Sequence, residues 1–250
     1  MSPRSDYRAR VRDMVAALRA KAADRAPEAA ICAAEGLAVH NIAGETAVLR
    51  VYDEISYWGI SALDVIAELD RITAPAIRVE INSPGGDVFD GIAIYNALRS
   101  HPATVTTQID GLAASIASVI VQAGDTRVVQ PAGQLMIHNA WGLVVGDRND
   151  HSDMARLLEQ QDNVIAGIYA ARSGRDVDEF RALMDAETWL TGAAAVELGL
   201  ADTAQIATPP AAQTRQTVTA IAPVPPAAPP TDDASAVLVQ IAANANRRRR

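Results

Sequence analysis

Cysteine is almost absent from this sequence: its 250 residues hold one, Cys32. A lone cysteine excludes an internal disulfide framework and suits a reducing compartment. Lysine is equally scarce. Lys21 stands alone beside 21 arginines, so any mechanism needing a lysine base further along has no residue to use. The longest apolar run, 111–124, is shorter than the roughly 18 residues a membrane span requires, and no span is expected. Met1 to Lys21 has no apolar segment of the kind a secretory signal carries, which points to a cytoplasmic protein. The four histidines, His40, His101, His138 and His151, lie far apart, with no H-E-x-x-H pair and no cysteine cluster, so no metal is expected. Neither a G-x-x-x-x-G-K loop nor a G-x-G-x-x-G fingerprint occurs, so no nucleotide cofactor is expected and the chain has no phosphate loop of its own.

What is present is acidic and unevenly spread. The net charge is −8, yet residues 1–25 carry +4 and residues 201–250 carry +2, leaving −14 for the middle. An acidic middle disfavours nucleic acid as a partner of the core. The basic ends offer contacts to nucleic acid, an acidic partner or the core itself, and otherwise read as solvated flanks. Seven of the 13 prolines fall between Pro209 and Pro230.

Three parts follow from this: an extension over 1–45, a globular domain over 46–203, and a Pro/Ala-rich, disordered tail over 204–250 that ends in Arg247–Arg250. Residues 4–25 read as an Ala/Arg-rich helix. In the domain, 46–52 reads as a strand and Ser61 with Asp64 as a helix-opening capping box. Ile77, Val79 and Ile81 alternate with Arg78, Glu80 and Asn82 as a strand does. A Gly85-Gly86 turn follows, then a helix carrying Val88, Ile92, Tyr95 and Leu98. Strand 104–109, a small-residue turn and a helix from about 113 repeat the unit. Repeated strand–turn–helix units argue an α/β fold with a largely parallel sheet and sites at the strands' C-terminal ends. Thr126–Gln130 and Leu135–His138 read as further strands, and 152–172 as a long helix capped by Ser152 and closed by Gly174. Asp176 opens the next helix, Trp189-Leu190 is extended, and 191–198 is the last helix.

Acyl transfer is the chemistry these residues fit, since it needs a nucleophile, a base, a group to orient the base and donors for an oxyanion. Ser115, in Gly111-Leu-Ala-Ala-Ser115-Ile-Ala-Ser118, is the candidate nucleophile; a serine opening a helix also serves as a plain cap. His138, at the end of an apolar strand, is the candidate base or a structural histidine. The Gly85-Gly86 turn lets backbone N–H groups approach a ligand, or is simply a tight turn.

Taken together, four segments resemble the Clp protease proteolytic subunit family of serine peptidases, and more narrowly its phage-encoded head-maturation relatives. The segments are Ile81-Asn-Ser-Pro-Gly-Gly86, Gly111-Leu-Ala-Ala-Ser115-Ile-Ala, Met136-Ile-His138 and Trp189-Leu-Thr-Gly-Ala-Ala-Ala-Val-Glu-Leu-Gly-Leu200, in the family's order. The resemblance implies a crotonase-like spiral of ββα units. It implies Ser115 as nucleophile, His138 as general base, and the N–H groups of Gly86 and Ile116 as oxyanion donors. The family's third residue is usually Asp, two positions before the aromatic matched by Trp189; here that position holds Glu187, with Asp185 as the fallback. It also implies self-assembly into rings, stacked through the helix matching 152–172, and an endopeptidase cutting a capsid or scaffold precursor. The long extension argues against docking to an ATPase partner. Two other readings stand beside it: a catalytically silent ring or capsid-assembly scaffold subunit, and an acyl-CoA-processing crotonase.

Overall fold

The computed structural model describes residues 36–206, so the helix read over 4–25 and the tail beyond 206 lie outside the described residues. Among the described residues a single sheet is built from eight strands. They are β1 (Leu37–His40), β2 (Thr46–Val51), β3 (Ala76–Ser83), β4 (Thr104–Ala114), β5 (Thr126–Val129), β6 (Gln134–Ile137), β7 (Thr188–Thr191) and β8 (Thr203–Ala204). Six helices join them: α1 (Ala62–Leu69), α2 (Val88–Ser100), α3 (Ile116–Val121), α4 (Arg148–Ser173), α5 (Val177–Asp185) and α6 (Gly192–Glu197). None of these helices is long and apolar enough to cross a membrane.

Strands β2, β3, β4, β5 and β8 run parallel, as the strand–turn–helix units require. Their inward residues are apolar and fully covered: Leu49, Val51, Ile77, Val79, Ile81 and Ile109 expose 1% or less. The opposite side of β3 is not simply wet. Glu80 is also buried there, held by Arg50 Nε (2.8 Å) and Arg78 Nε (3.0 Å).

β4 decides the architecture. Its first half pairs with β5 (Thr106↔Thr126 to Ile109↔Val129) and its second half with β6 (Leu112↔Gln134 to Ala114↔Met136). One eleven-residue strand therefore carries two ladders along the edge away from β3, and β6 carries β7 antiparallel on its far edge. Against β3, the register jumps from Ile81↔Ile109 to Ser83↔Ala113, so β4 spends two extra residues on the bend. Asn82 Oδ1 spans it by accepting from Leu112 N at 3.1 Å.

Three boundaries differ from the sequence reading. β1 lies inside the stretch expected to be an extension and pairs antiparallel with β2, so the sheet begins at Leu37 rather than near 46. The strand read over 104–109, β4, runs on to Ala114, and the helix after it starts only at Ile116. The long helix starts at Arg148 because Asp147, not Ser152, caps it, accepting from Asn149 N and Asp150 N. The capping box at Ser61, the left-handed Gly174 and the Asp176 cap stand as read.

β8 is held by Arg127, which is 6% exposed. Its Nη2 donates to Asp202 Oδ1 (2.6 Å), its Nε to Asp202 Oδ2 (3.1 Å), and its Nη1 to Gln122 Oε1 and Gly199 O (both 2.9 Å). Partial burial pushes the Asp202 carboxyl up, but the hydrogen bonds and charge of Arg127 outweigh it, and the net position lies below the usual 3.8. A depressed folded-state pKa favours the folded form when the group is ionised. That contribution is present above the unfolded-state value and disappears as pH falls through the folded one. Asp202→Asn is therefore expected to lower Tm at pH 7, with the gap to wild type closing below about pH 4. Thermal melts of both proteins from pH 7 to pH 3 measure it.

Candidate active site

The turn from β4 into α3 is sharp because Ser115 takes φ 54°, ψ −130°, a backbone state rare for a residue with a side chain. Its hydroxyl makes no capping bond. The turn is pinned from three sides instead. Ser115 N donates to Met136 O (3.0 Å), the Ser118 hydroxyl donates to Ser115 O, and Ser118 Oγ meets Tyr169 Oη of α4 at 2.7 Å. Burial pushes the Tyr169 phenol up, so it stays a neutral hydrogen-bonding group. All six residues of α3 are buried, which fixes the helix below the turn.

The β4–β6 ladder brings the second group in. Ala114 pairs with Met136, so Ser115, one position on, and His138, two positions on, emerge at the end of the ladder. His138 Nε2 lies 2.7 Å from Ser115 Oγ. The serine thus presents its hydroxyl to an imidazole rather than to the helix it precedes.

The Gly85-Gly86 turn closes over the same point. Gly85 has φ +90° and Gly86 φ +145°, in the region that glycine tolerates and other residues do not. A Cβ on Gly85 would lie 2.7 Å from Ser115 Cβ and 3.0 Å from Ile116 N, so only glycine lets β3's end touch the serine turn. Ile55 braces the other side: its N–H donates to Gly85 O (2.8 Å) and its carbonyl accepts from Asp87 N (2.7 Å). Ser83 Oγ takes the Gly85 N–H (3.1 Å), and the Gly86 N–H has no acceptor among the described residues. Ile116 N opens α3, where a helix has no acceptor of its own for the first N–H groups. Ser115, His138 and both glycines line one cleft of about 510 Å³.

The carboxylates expected to orient His138 are elsewhere. Glu187 Oε1 accepts from Trp189 Nε1 at 3.2 Å, and Asp185 Oδ1 accepts from Asn139 Nδ2 at 2.6 Å. Neither bonds His138 in this structure. Glu187 takes the left-handed φ of 47° as the residue that ends α5, a place usually given to glycine, and its exposed side chain lies along Trp189.

Three supporting residues carry no sequence signal of their own. Asp162, 6% exposed on α4, accepts from Ala140 N at 2.6 Å and anchors the segment just past His138, with Arg181 Nη1 3.7 Å from its other oxygen. Tyr169 and Ser118 brace the turn as described. Ser118 lies within the small-residue octet, but its partner is 51 positions away. Among the described residues no group of three or more His, Cys, Asp or Glu is placed to hold a metal ion.

A family model for Clp protease matches residues 49–207. The chain belongs to the Clp protease family. Its mixed α/β sheet with flanking helices is consistent with the fold of that family. Named relatives are ATP-dependent Clp protease proteolytic subunits. The protein from Bacteroides fragilis (strain ATCC 25285) is 35% identical over 128 residues, which are 50% of this chain and 62% of that protein. The one from Bacteroides thetaiotaomicron is 34% identical over 50% of this chain and 58% of its own length. ATP-dependent Clp protease proteolytic subunit 1 of Salinibacter ruber is 30% identical over 50% and 55%. The match therefore spans less than two thirds of the length of these relatives.

Proposed function

We propose that this chain is a serine endopeptidase working through an acyl-enzyme. The observation that carries the reading is the 2.7 Å contact between Ser115 Oγ and His138 Nε2, on a positive-φ turn whose hydroxyl caps no helix. Ser115 Oγ attacks the scissile carbonyl while His138 Nε2 takes its proton. The negative oxygen so formed accepts from Gly86 N–H and Ile116 N–H, the latter at a helix N-terminus that favours negative charge. His138 then returns the proton to the leaving amine, and water, activated in the same way, releases the acyl group. Glu187 takes the orienting role on its motif position, after its carboxylate leaves the Trp189 indole for the free imidazole nitrogen.

The finer reading is that of an ATP-independent head-maturation protease whose substrate is a capsid or scaffold precursor. It is supported by the sequence outside the family match, residues 1–48 and 208–250, with their basic ends. Assembly into rings of identical subunits is part of the same reading. About 39 Å of helix is available in α4, and its first half, 148–160, contributes no buried residue while Leu157 and Val164 stand exposed. A second copy covers such a face.

One observation favours a silent scaffold subunit instead: both candidate carboxylates are bonded away from His138. Reaction with a fluorophosphonate probe separates the two. Labelling mapped to Ser115, together with new N-termini in a co-expressed capsid precursor read by mass spectrometry, supports the protease; an unlabelled, uncut mixture supports the scaffold.

A further inference from the structure

The cleft holds one carboxylate that the chemistry above does not use. Glu54 lines the same cavity as Ser115 and His138, is its one acidic side chain, and no arginine or lysine shares the wall. Its place is rigid. Glu54 immediately precedes Ile55, whose two backbone bonds straddle Gly86, and Ile60 N closes the turn back onto Glu54 O at 2.8 Å. The Glu54 backbone is thus held beside the glycine turn on a braced strut, and its side chain is carried on the wall of the cleft. Glu54 is exposed, and its carboxylate has no hydrogen-bond or ion-pair partner among the described residues.

The rest of the wall is apolar. Pro84, Val88, Met136 and Trp141 contribute it, and Trp141 is 77% exposed. A long aliphatic stem with a cation at its tip suits such a surface: the stem covers the apolar side chains, the cation meets the carboxylate, and an indole face adds to its attraction. An acidic substrate side chain would meet an uncompensated like charge there, and a purely apolar one would leave Glu54 desolvated and unpaired.

We propose that Glu54 selects substrates with an arginine or lysine side chain next to the scissile bond. This rests on the peptidase reading and deepens it by naming the substrate class of that cleft.

The test uses the full 250-residue chain and a synthetic peptide library in which each position samples all residue types, with cut bonds read by mass spectrometry. Wild type is expected to favour peptides with a basic residue flanking the cut by roughly 10- to 100-fold in kcat/KM. Glu54→Gln is expected to remove most of that preference, Glu54→Asp to keep part of it, and Glu54→Arg to turn it toward acidic residues; thermal melts show that each variant is folded. No basic preference in wild type, an unchanged preference in Glu54→Gln, or probe labelling of Ser115 without any cut in the library each overturns the inference while leaving the serine site standing. A wild-type Ser115 that takes no fluorophosphonate overturns the peptidase reading, and this inference with it.

Discussion

Ser115→Ala is expected to lower peptide cleavage by roughly 10⁴- to 10⁶-fold while Tm stays within about 2 °C of wild type. The two halves of that expectation have separate causes. Activity falls because the nucleophile and the base act as a unit: without the hydroxyl, His138 Nε2 has no oxygen at 2.7 Å to deprotonate. Stability holds because the hydroxyl supports nothing else. It caps no helix, and the bonds that pin the turn use the Ser115 N–H and C=O, which alanine keeps. A serine serving as a cap would behave in the opposite way, losing about 1 kcal/mol of stability and no chemistry. Turnover and thermal melts of the one variant therefore decide between the two roles open at the level of sequence. Residual cleavage within tenfold of wild type would end the proposed mechanism.

Gly86→Ala is expected to damage both folding and reactivity. A Cβ there would lie 2.1 Å from Ile55 O. That carbonyl cannot retreat, since Asp87 N holds it at 2.7 Å and Ile55 N is tied to Gly85 O at 2.8 Å. The φ of +145° adds strain of its own. Overpacking and strain together cost roughly 2–5 kcal/mol, or a drop of roughly 5–15 °C in Tm. Labelling by fluorophosphonate, measured well below the lowered Tm, is expected to slow by roughly 10²- to 10³-fold, the loss typical of a displaced oxyanion donor. Gly167→Ala supplies the control. Gly167 lies within α4 with nothing inside 4 Å of the added carbon, so the same substitution there is expected to raise stability by up to about 1 kcal/mol. An unchanged Tm and labelling rate in Gly86→Ala would remove the glycine turn from the proposed site.

Much of this was legible because it is local. Ser61 with Asp64, Asp176 and Gly174 mark helix ends through bonds reaching at most four residues, and each lies where the capping pattern placed it, whereas Thr191, read as the first residue of the last helix, is its N-cap. Asp147 and Ser152 both suit a cap by residue type, and only the extended backbone at Asp147 shows which one the helix uses. β1 escaped notice for another reason. Four half-covered residues, Leu37–His40, carry little alternation, and they become a strand only because β2 offers its edge.

The sequence by itself determined the class of fold, the family and the residue types able to do acyl chemistry, since periodicity, capping and short motifs are written within a few neighbouring positions. Tertiary structure alone decided which of those residues meet. Ser115 and His138, 23 positions apart, come within hydrogen-bond reach because β4 forks and carries β6 in one particular register. Asp185, 46 positions from Asn139, meets that residue's amide because α5 packs beside the segment that carries His138. Strand register and side-chain partnering are settled by the burial and hydrogen bonding of the whole sheet, where distant segments compete for the same edges and donors, and no local stretch of chain contains that competition.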